Sequence, residues 1–136
     1  MRFNALKVLV LGGSLLVAAA PAIAHHAFSA EFDAKQPITI RGKVTKVQWT
    51  NPHVWVYLNV QDEAGKLTNW GFEMGAPQQV QNQGWGRNSL KAGDELIVVG
   101  SKARDGSTRM NARNVTWAAT GVKLGAASSE PTPAQQ

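Results

Sequence analysis

An alternating stretch from His53 to Val60 organises the chain. Its apolar positions are Val54, Val56, Leu58 and Val60, and between them stand His53, Trp55, Tyr57 and Asn59. Successive side chains of a strand point to opposite faces. The pattern therefore predicts a strand with one core face and one aromatic, polar face headed by a histidine. The Asn51-Pro52 pair before it favours a turn that separates this strand from the previous one.

Similar patterns predict four further strands and one short helix. They are a first strand from Ile38, a third from Leu67 to Met74, a helix from Gln78 to Gln83, a fourth strand from Glu95 to Ser101 and a fifth from Arg109 to Ala118. In the first strand the alternation slips by one residue after Val44, as a β-bulge requires. Five strands with a helix between the third and fourth are typical of a small OB-like barrel. Another five-stranded barrel or a small sandwich fits the same pattern.

The ends of the chain differ in composition from this β-rich part. Residues 1–24 have a basic start, an apolar stretch and the small-x-small site Ala22-Ile23-Ala24, which together predict a secretory signal peptide. Cleavage after Ala24 makes His25 the N-terminus, although cleavage after Ala22 also fits the rule. We expect a leader over 25–37, an OB-like domain over 38–119 and a disordered tail over 120–136. The mature protein is expected in the periplasm or secreted, without a membrane span.

Charge and cysteine content exclude several classes of function. The chain has 14 Lys and Arg against 9 Asp and Glu, and the signal peptide carries two of the bases, which leaves the mature protein at +3. The bases are interspersed with acids, so we expect no nucleic-acid partner. Cysteine is absent, which excludes disulfides, thiolate ligands and a thiol nucleophile. No nucleophile, metalloprotease or phosphate-loop motif is present, and the chain is predicted not to be an enzyme.

The chain carries several distinctive short motifs: His25-His26-Ala27-Phe28, Phe32-Asp33, Gly42-Lys43-Val44, Trp49-Thr50-Asn51-Pro52-His53 and Leu90-Lys91-Ala92-Gly93-Asp94. Together they resemble a bacterial family of exported proteins described as a domain of unknown function. The resemblance covers about His25 to Trp117. It implies a small, exported, OB-like domain and supplies no catalytic residues. At the level of the fold, the layout is also similar to periplasmic OB-fold proteins that bind small ligands.

The three histidines, His25, His26 and His53, suggest a metal site. An N-terminal histidine offers both its α-amine and its ring to one ion, and His53 could supply a third nitrogen. Nitrogen-rich tetragonal sites suit Cu(II), so copper is the possible cofactor, with Glu31 or Asp33 as an oxygen ligand or hydrogen-bond acceptor. The alternative is a solvated leader and a His53 that merely caps its turn.

A second candidate surface is the aromatic face of the central strand. Exposed Trp55 and Tyr57, with Trp49 and Asn51 nearby, could bind a small organic ligand or a glycan, since OB-folds often bind on strands two and three. The matching face of the third strand is either Trp70 and Phe72 or Asn69, Gly71 and Glu73, depending on register. The alternative is that these rings pack under other segments. A structural or protein-interaction role remains a third hypothesis, and the oligomeric state is left open.

Overall fold

The strands follow one another in the order expected from the sequence, with a short helix before the first and a short strand after the fifth. The structure is a computed structural model and describes residues 27–132. Its elements are α1 (27–31), β1 (Phe32–Gln48), β2 (Trp55–Gln61), β3 (Leu67–Glu73), α2 (Pro77–Asn82), β4 (Glu95–Ala103), β5 (Arg109–Trp117) and β6 (Lys123–Gly125). The expected signal peptide, His25 and His26 lie outside the described residues.

Five of the strands close into a ring. The sheet order is β3-β2-β1-β4-β5-β6, all in antiparallel pairs, and a parallel pairing of β3 with β5 closes the ring. With α2 between β3 and β4, this is the strand order of an OB-fold. The predicted fold class, an all-β, five-stranded, OB-like domain with one short helix between strands three and four, is confirmed. Among residues 27–132, no helix is long and apolar enough to cross a membrane.

The alternating stretch builds the inside of the ring as its pattern predicts. Val54, Val56 and Leu58 are fully buried. In β3, Phe72 lies opposite Val56, so it joins the same face and is also fully buried. The principal core, which we call the ring interior, adds side chains from the other strands and from α2, among them Val44, Val80, Leu96, Val98, Met110 and Val115.

The slip in the first strand corresponds to an irregularity in the structure. The register of β1 against β2 shifts between Val44 and Lys46, which lets Val47 turn toward the core after the shift. Gly42 stands close by, where a Cβ would lie 2.5 Å from the carbonyl oxygen of Asn59. Only a residue without a side chain allows the two backbones to approach so closely.

The ends of the domain differ from the expectation. β1 begins at Phe32 rather than at Ile38, and Phe32 and Asp33 pair with the end of β4 before an irregularity near Pro37. Residues beyond 120, expected to be a disordered tail, form β6 and then a segment against the ring, in which Ala126 is fully buried. Composition misled here because backbone and hydroxyl hydrogen bonds hold much of this segment, in addition to the packing of Leu124 and Ala126 against the core.

Candidate functional site

A small cavity lies where the first helix, the start of β2, the end of β3 and the C-terminal segment meet. It is lined by Ala27, Phe28, Glu31, Phe32, His53, Glu73 and Ser129. Its volume is about 80 Å³, whereas pockets for drug-sized ligands measure roughly 300–1,000 Å³. The space therefore suits an ion or a few water molecules better than an organic ligand.

The first helix forms the apolar wall of this cavity. Phe28 and Phe32, four residues apart, pack with ring centroids 5.8 Å apart and ring planes tilted by 36°. Together with Ala103 they form a small cluster against Trp55. Arg104 holds the C-terminal end of this helix, because its Nε donates to the carbonyl oxygens of Ser29 and Phe32 at 2.7 and 3.0 Å. A cation at these carbonyls also suits the negative end of the helix. Glu31 is thereby carried to the cavity rim.

His53 and Glu73 form the polar wall. In the antiparallel pairing of β2 with β3, Trp55 lies opposite Glu73, so the carboxylate stands on the same face as His53, two residues before Trp55. Nδ1 of His53 is hydrogen-bonded to Oε1 of Glu73, whose side chain is only 8% exposed. With the Glu73 carboxylate ionised, it can only accept, so Nδ1 of His53 is the donor. Within the described residues His53 makes its hydrogen bond through Nδ1, and its side chain is 37% exposed.

The second oxygen of Glu73 is held from β5. The parallel pairing of β3 with β5 places Asn111 beside Glu73, and Nδ2 of this buried amide donates to Oε2 at 3.0 Å. The same Nδ2 donates to the Ser129 hydroxyl at 3.2 Å, and Oδ1 accepts from the Ser128 hydroxyl at 2.5 Å. Hence Oε1 of Glu73 is hydrogen-bonded to His53, and Oε2 is hydrogen-bonded to Asn111.

Residues 126–130, which we call the C-terminal strap, complete this network. The carbonyl oxygen of Ala126 accepts from the backbone N–H of Gly75, and its own N–H donates to the carbonyl oxygen of Arg113. At its other end, Glu130 accepts from the Ser101 hydroxyl at 2.7 Å and lies 3.6 Å from the Arg113 guanidinium. The strap is thus fixed at both ends, and Ser129 between them lines the cavity.

The candidate metal residues are only partly within the described chain. His53 and Glu31 line the same cavity, whereas the carboxylate of Asp33 accepts from Lys35 and Gln36 and faces Arg104. Within residues 27–132, no group of three or more His, Cys, Asp or Glu is arranged to hold a metal ion.

The aromatic face is present, with the second of the two registers considered. Asn69, Gly71 and Glu73 share the face of Trp55 and Tyr57. The two rings stack with centroids 6.4 Å apart, and a Cβ on Gly71 would lie 3.2 Å from the Tyr57 ring. Both rings are half-buried.

The other two candidate ligand residues lie apart from this face. Trp49 packs against the ring interior, and Asn51, on the exposed turn with a cis peptide bond to Pro52, projects into solvent. Neither lines the cavity.

Sequence reasoning missed three contributors to the site, Glu73, Asn111 and Ser129. Glu73 did carry a signal, because it is an acid within a strand otherwise rich in apolar and aromatic residues, on one of the two faces considered. Asn111 carried little, since a single amide between Met110 and Ala112 is also compatible with an exposed edge. Ser129 lies in a stretch whose composition predicts disorder.

A comparison with protein-family models gives a match over residues 12–113 to the family of unknown function DUF6152. The chain belongs to this family. The resemblance to a domain of unknown function is thereby confirmed. A search of curated proteins finds no match to the chain.

The DUF6152 match covers most of the residues that build the cavity. It includes the candidate ligands His25, His26 and His53, and also Glu73 and Asn111, which are hydrogen-bonded to each other. It ends before the C-terminal strap. The family description assigns no activity, so the chemistry of the cavity must be argued from its own geometry.

Proposed function

We propose that this DUF6152 protein is an exported, non-enzymatic binding module that holds a transition-metal ion, with Cu(II) as the first candidate, through His53, His25 and His26. The observation that carries the proposal is the hydrogen bond from Nδ1 of His53 to the buried carboxylate of Glu73. Metal-binding histidines usually donate their second ring N–H to such a carboxylate, which fixes the tautomer and raises the basicity of the free nitrogen.

Chain connectivity supports the remaining ligands. His26 directly precedes Ala27, a cavity-lining residue, and consecutive Cα atoms are only about 3.8 Å apart. If the signal peptide is cut after Ala24, the α-amine and ring of His25 begin the mature chain one residue further on. Glu31 at the rim could add an oxygen ligand. Such a nitrogen-rich set with one carboxylate suits Cu(II).

Electrostatics and size agree with this occupant. The Glu73 carboxylate would offset part of the positive charge of an ion bound at His53, and Phe28 and Phe32 shield the site from water on one side. In a shielded site this attraction is stronger than it would be in bulk water. A cavity of about 80 Å³ accommodates an ion but not a sugar ring with its substituents.

The test is a Cu(II) titration followed by EPR on protein purified after export, with its intact mass measured on the same sample. We expect a mass that begins at His25 and one equivalent of tetragonal, nitrogen-coordinated copper. His53→Gln should remove one nitrogen from the spectrum and weaken binding at least tenfold, because an amide is a poor ligand for Cu(II). Glu73→Gln should weaken binding roughly 10–100-fold, as loss of an orienting partner does.

Two controls separate this site from adventitious binding. Glu63→Gln removes a carboxylate from an exposed turn and should leave the affinity unchanged. One residue added before His25 should abolish the contribution of the α-amine. A mature chain that starts elsewhere, or copper that His53→Gln does not weaken, would contradict the proposal.

A second candidate function rests on the stacked Trp55 and Tyr57, which offer a half-exposed aromatic surface beside Asn59 and Asn69. Planar rings next to amides suit a glycan or a flat organic ligand. Two observations weigh against it: Trp55 packs on the Phe28 and Phe32 cluster, and the Tyr57 hydroxyl donates to Gln48 at 2.9 Å. Tryptophan fluorescence across a ligand panel, compared with Tyr57→Ala, tests this candidate. A flat response across the panel would eliminate it.

A further inference from the structure

The carboxylate of Glu73 reaches His53 in one orientation because its other oxygen is held. A carboxylate at the end of a two-carbon side chain can rotate, and its terminal torsion is broad. Here Asn111 donates to Oε2 and so leaves Oε1 for His53. Asn111 is 1% exposed, so water does not replace this donor.

The amide of Asn111 is itself oriented by the C-terminal strap. A flipped amide would point its oxygen at the Glu73 carboxylate, where two acceptors would face each other. Ser128 stabilises the observed orientation, because its hydroxyl donates to Oδ1 at 2.5 Å while accepting from the backbone N–H of Glu130 at 3.0 Å. Ser129 accepts from Nδ2 on the other side, at 3.2 Å. In this chain of bonds Glu73 accepts through both oxygens, Asn111 donates through Nδ2 and accepts through Oδ1, and Ser128 both donates and accepts.

From this geometry we infer that Asn111 is a positioning residue for the His53 site, and that Ser128 and Ser129 of the strap hold it in place. Through Glu73 they keep the proton of the neutral imidazole on Nδ1 and leave Nε2 free for an ion. The inference rests on the proposed function for the identity of the ion. The orientation of His53 does not depend on the ion and can be measured without it.

The anchor of the strap lies outside the cavity. Glu130 is held by Ser101, which is fully buried, and by Arg113. Changes at this anchor should therefore act on His53 only through the strap. We call the chain of hydrogen bonds from Ser128 and Ser129 through Asn111 and Glu73 to His53 the relay. The anchor at Glu130 can be mutated separately from it.

The experiment uses the full-length exported protein without metal and records ¹⁵N NMR shifts of the His53 ring above its titration range. These shifts report which nitrogen carries the proton. The variants are Asn111→Leu, which keeps a similar volume without polar atoms, and Ser129→Ala, a smaller change at a partly exposed position. Ser89→Ala is the matched control, because that hydroxyl accepts from Gly86 in a turn and does not line the cavity.

We expect the Nδ1–H form to dominate in the wild type and in Ser89→Ala. Asn111→Leu should convert the ring to a mixture of tautomers, and Ser129→Ala should do so in part. Cu(II) affinity should fall about tenfold in Asn111→Leu, as for loss of other outer partners of metal ligands. Thermal unfolding on the same samples identifies a variant that fails to fold, in which case Ser129→Ala carries the test.

The outcomes distinguish this inference from the proposed function. Folded variants whose His53 tautomer equals that of the wild type would overturn the positioning role, even if the wild type binds copper. A wild type that binds no copper but loses the Nδ1–H form in Asn111→Leu would reject the metal proposal and retain the relay. A fall in copper affinity without any change in tautomer would also count against the relay.

Discussion

The ring interior and the end of the molecule at the cavity are built in opposite ways. The ring interior is one continuous apolar cluster to which every strand of the ring contributes, and each member has several buried neighbours. The cavity end has an apolar cluster of only three buried residues, Phe28, Phe32 and Ala103, joined to a chain of hydrogen bonds. It is also formed by residues from both ends of the described chain.

This difference separates stability from site geometry. Many interchangeable apolar contacts make the ring interior the cooperative unit of folding, since burial is non-directional and additive over area. The cavity end depends on a few directional bonds, each with one donor and one acceptor. Changes to the interior should therefore act on the unfolding free energy, whereas changes at the cavity end should act on His53 with smaller effects on global stability.

The largest effect is expected from Leu96→Ala in β4. Leu96 is fully buried in the ring interior and does not line the cavity. Truncating a buried leucine leaves a hole and costs about 2–5 kcal/mol of unfolding free energy. Urea denaturation should show this loss, while the remaining folded protein keeps the Cu(II) affinity of the wild type. A tenfold loss of Cu(II) affinity in folded Leu96→Ala would contradict the view that the ring interior sets stability without affecting the site.

Gly75→Ala should act mainly on the strap. A Cβ on Gly75 would lie 2.6 Å from the carbonyl oxygen and 2.7 Å from the Cβ of Ala127, so the strap must shift away. Overpacking of this kind costs about 1–3 kcal/mol. We expect faster hydrogen exchange in the strap and a changed His53 tautomer. Gly86→Ala is the control, because its Cβ would meet only Ser89 Oγ, at 3.6 Å. Equal behaviour of the two variants would show that strap position does not matter.

Phe28→Ala should lower global stability less than Leu96→Ala does. Burying a phenylalanine contributes about 1.5–3 kcal/mol. The loss is limited, however, by the free energy needed to detach residues 27–31, because a terminal segment can open without the ring. Hydrogen exchange should therefore accelerate at 27–33 and stay slow in β2 and β4. Uniform acceleration throughout the domain would mean that α1 is part of the cooperative core.

The contrast also explains how much the sequence could predict. The ring follows from alternation at His53 to Val60, from the slip after Val44 and from the position of Pro77, because these patterns record which side chains meet a continuous core. The residues of the cavity end follow no periodic pattern in the sequence. Glu73 and Asn111, 38 residues apart in the chain, meet through the parallel pairing of β3 with β5. The strap is bound through serine hydroxyls and backbone groups, which composition reads as solvent-exposed.

The smallest effect is expected at a turn that belongs to neither region. The Ser107 hydroxyl and backbone N–H, with help from Arg109, lower the pKa of Asp105 to about 2. Since the pKa of an unfolded aspartate is about 3.9, the folded state favours the ionised form. The resulting stabilisation is complete above that value and is lost as the pH falls through about 2.

Asp105→Asn should accordingly lower the urea midpoint slightly at neutral pH, and this difference should shrink as the pH falls toward 2. Salt should reduce the difference, because the Asp105 and Arg109 side chains are about half exposed. Neither the His53 tautomer nor Cu(II) affinity should change. Urea midpoints of both proteins between about pH 2 and 7 provide the measurement, with Glu63→Gln as a control for loss of an exposed carboxylate. A difference of the same size from pH 7 down to pH 2 would show that Asp105 acts through the turn geometry rather than through its charge.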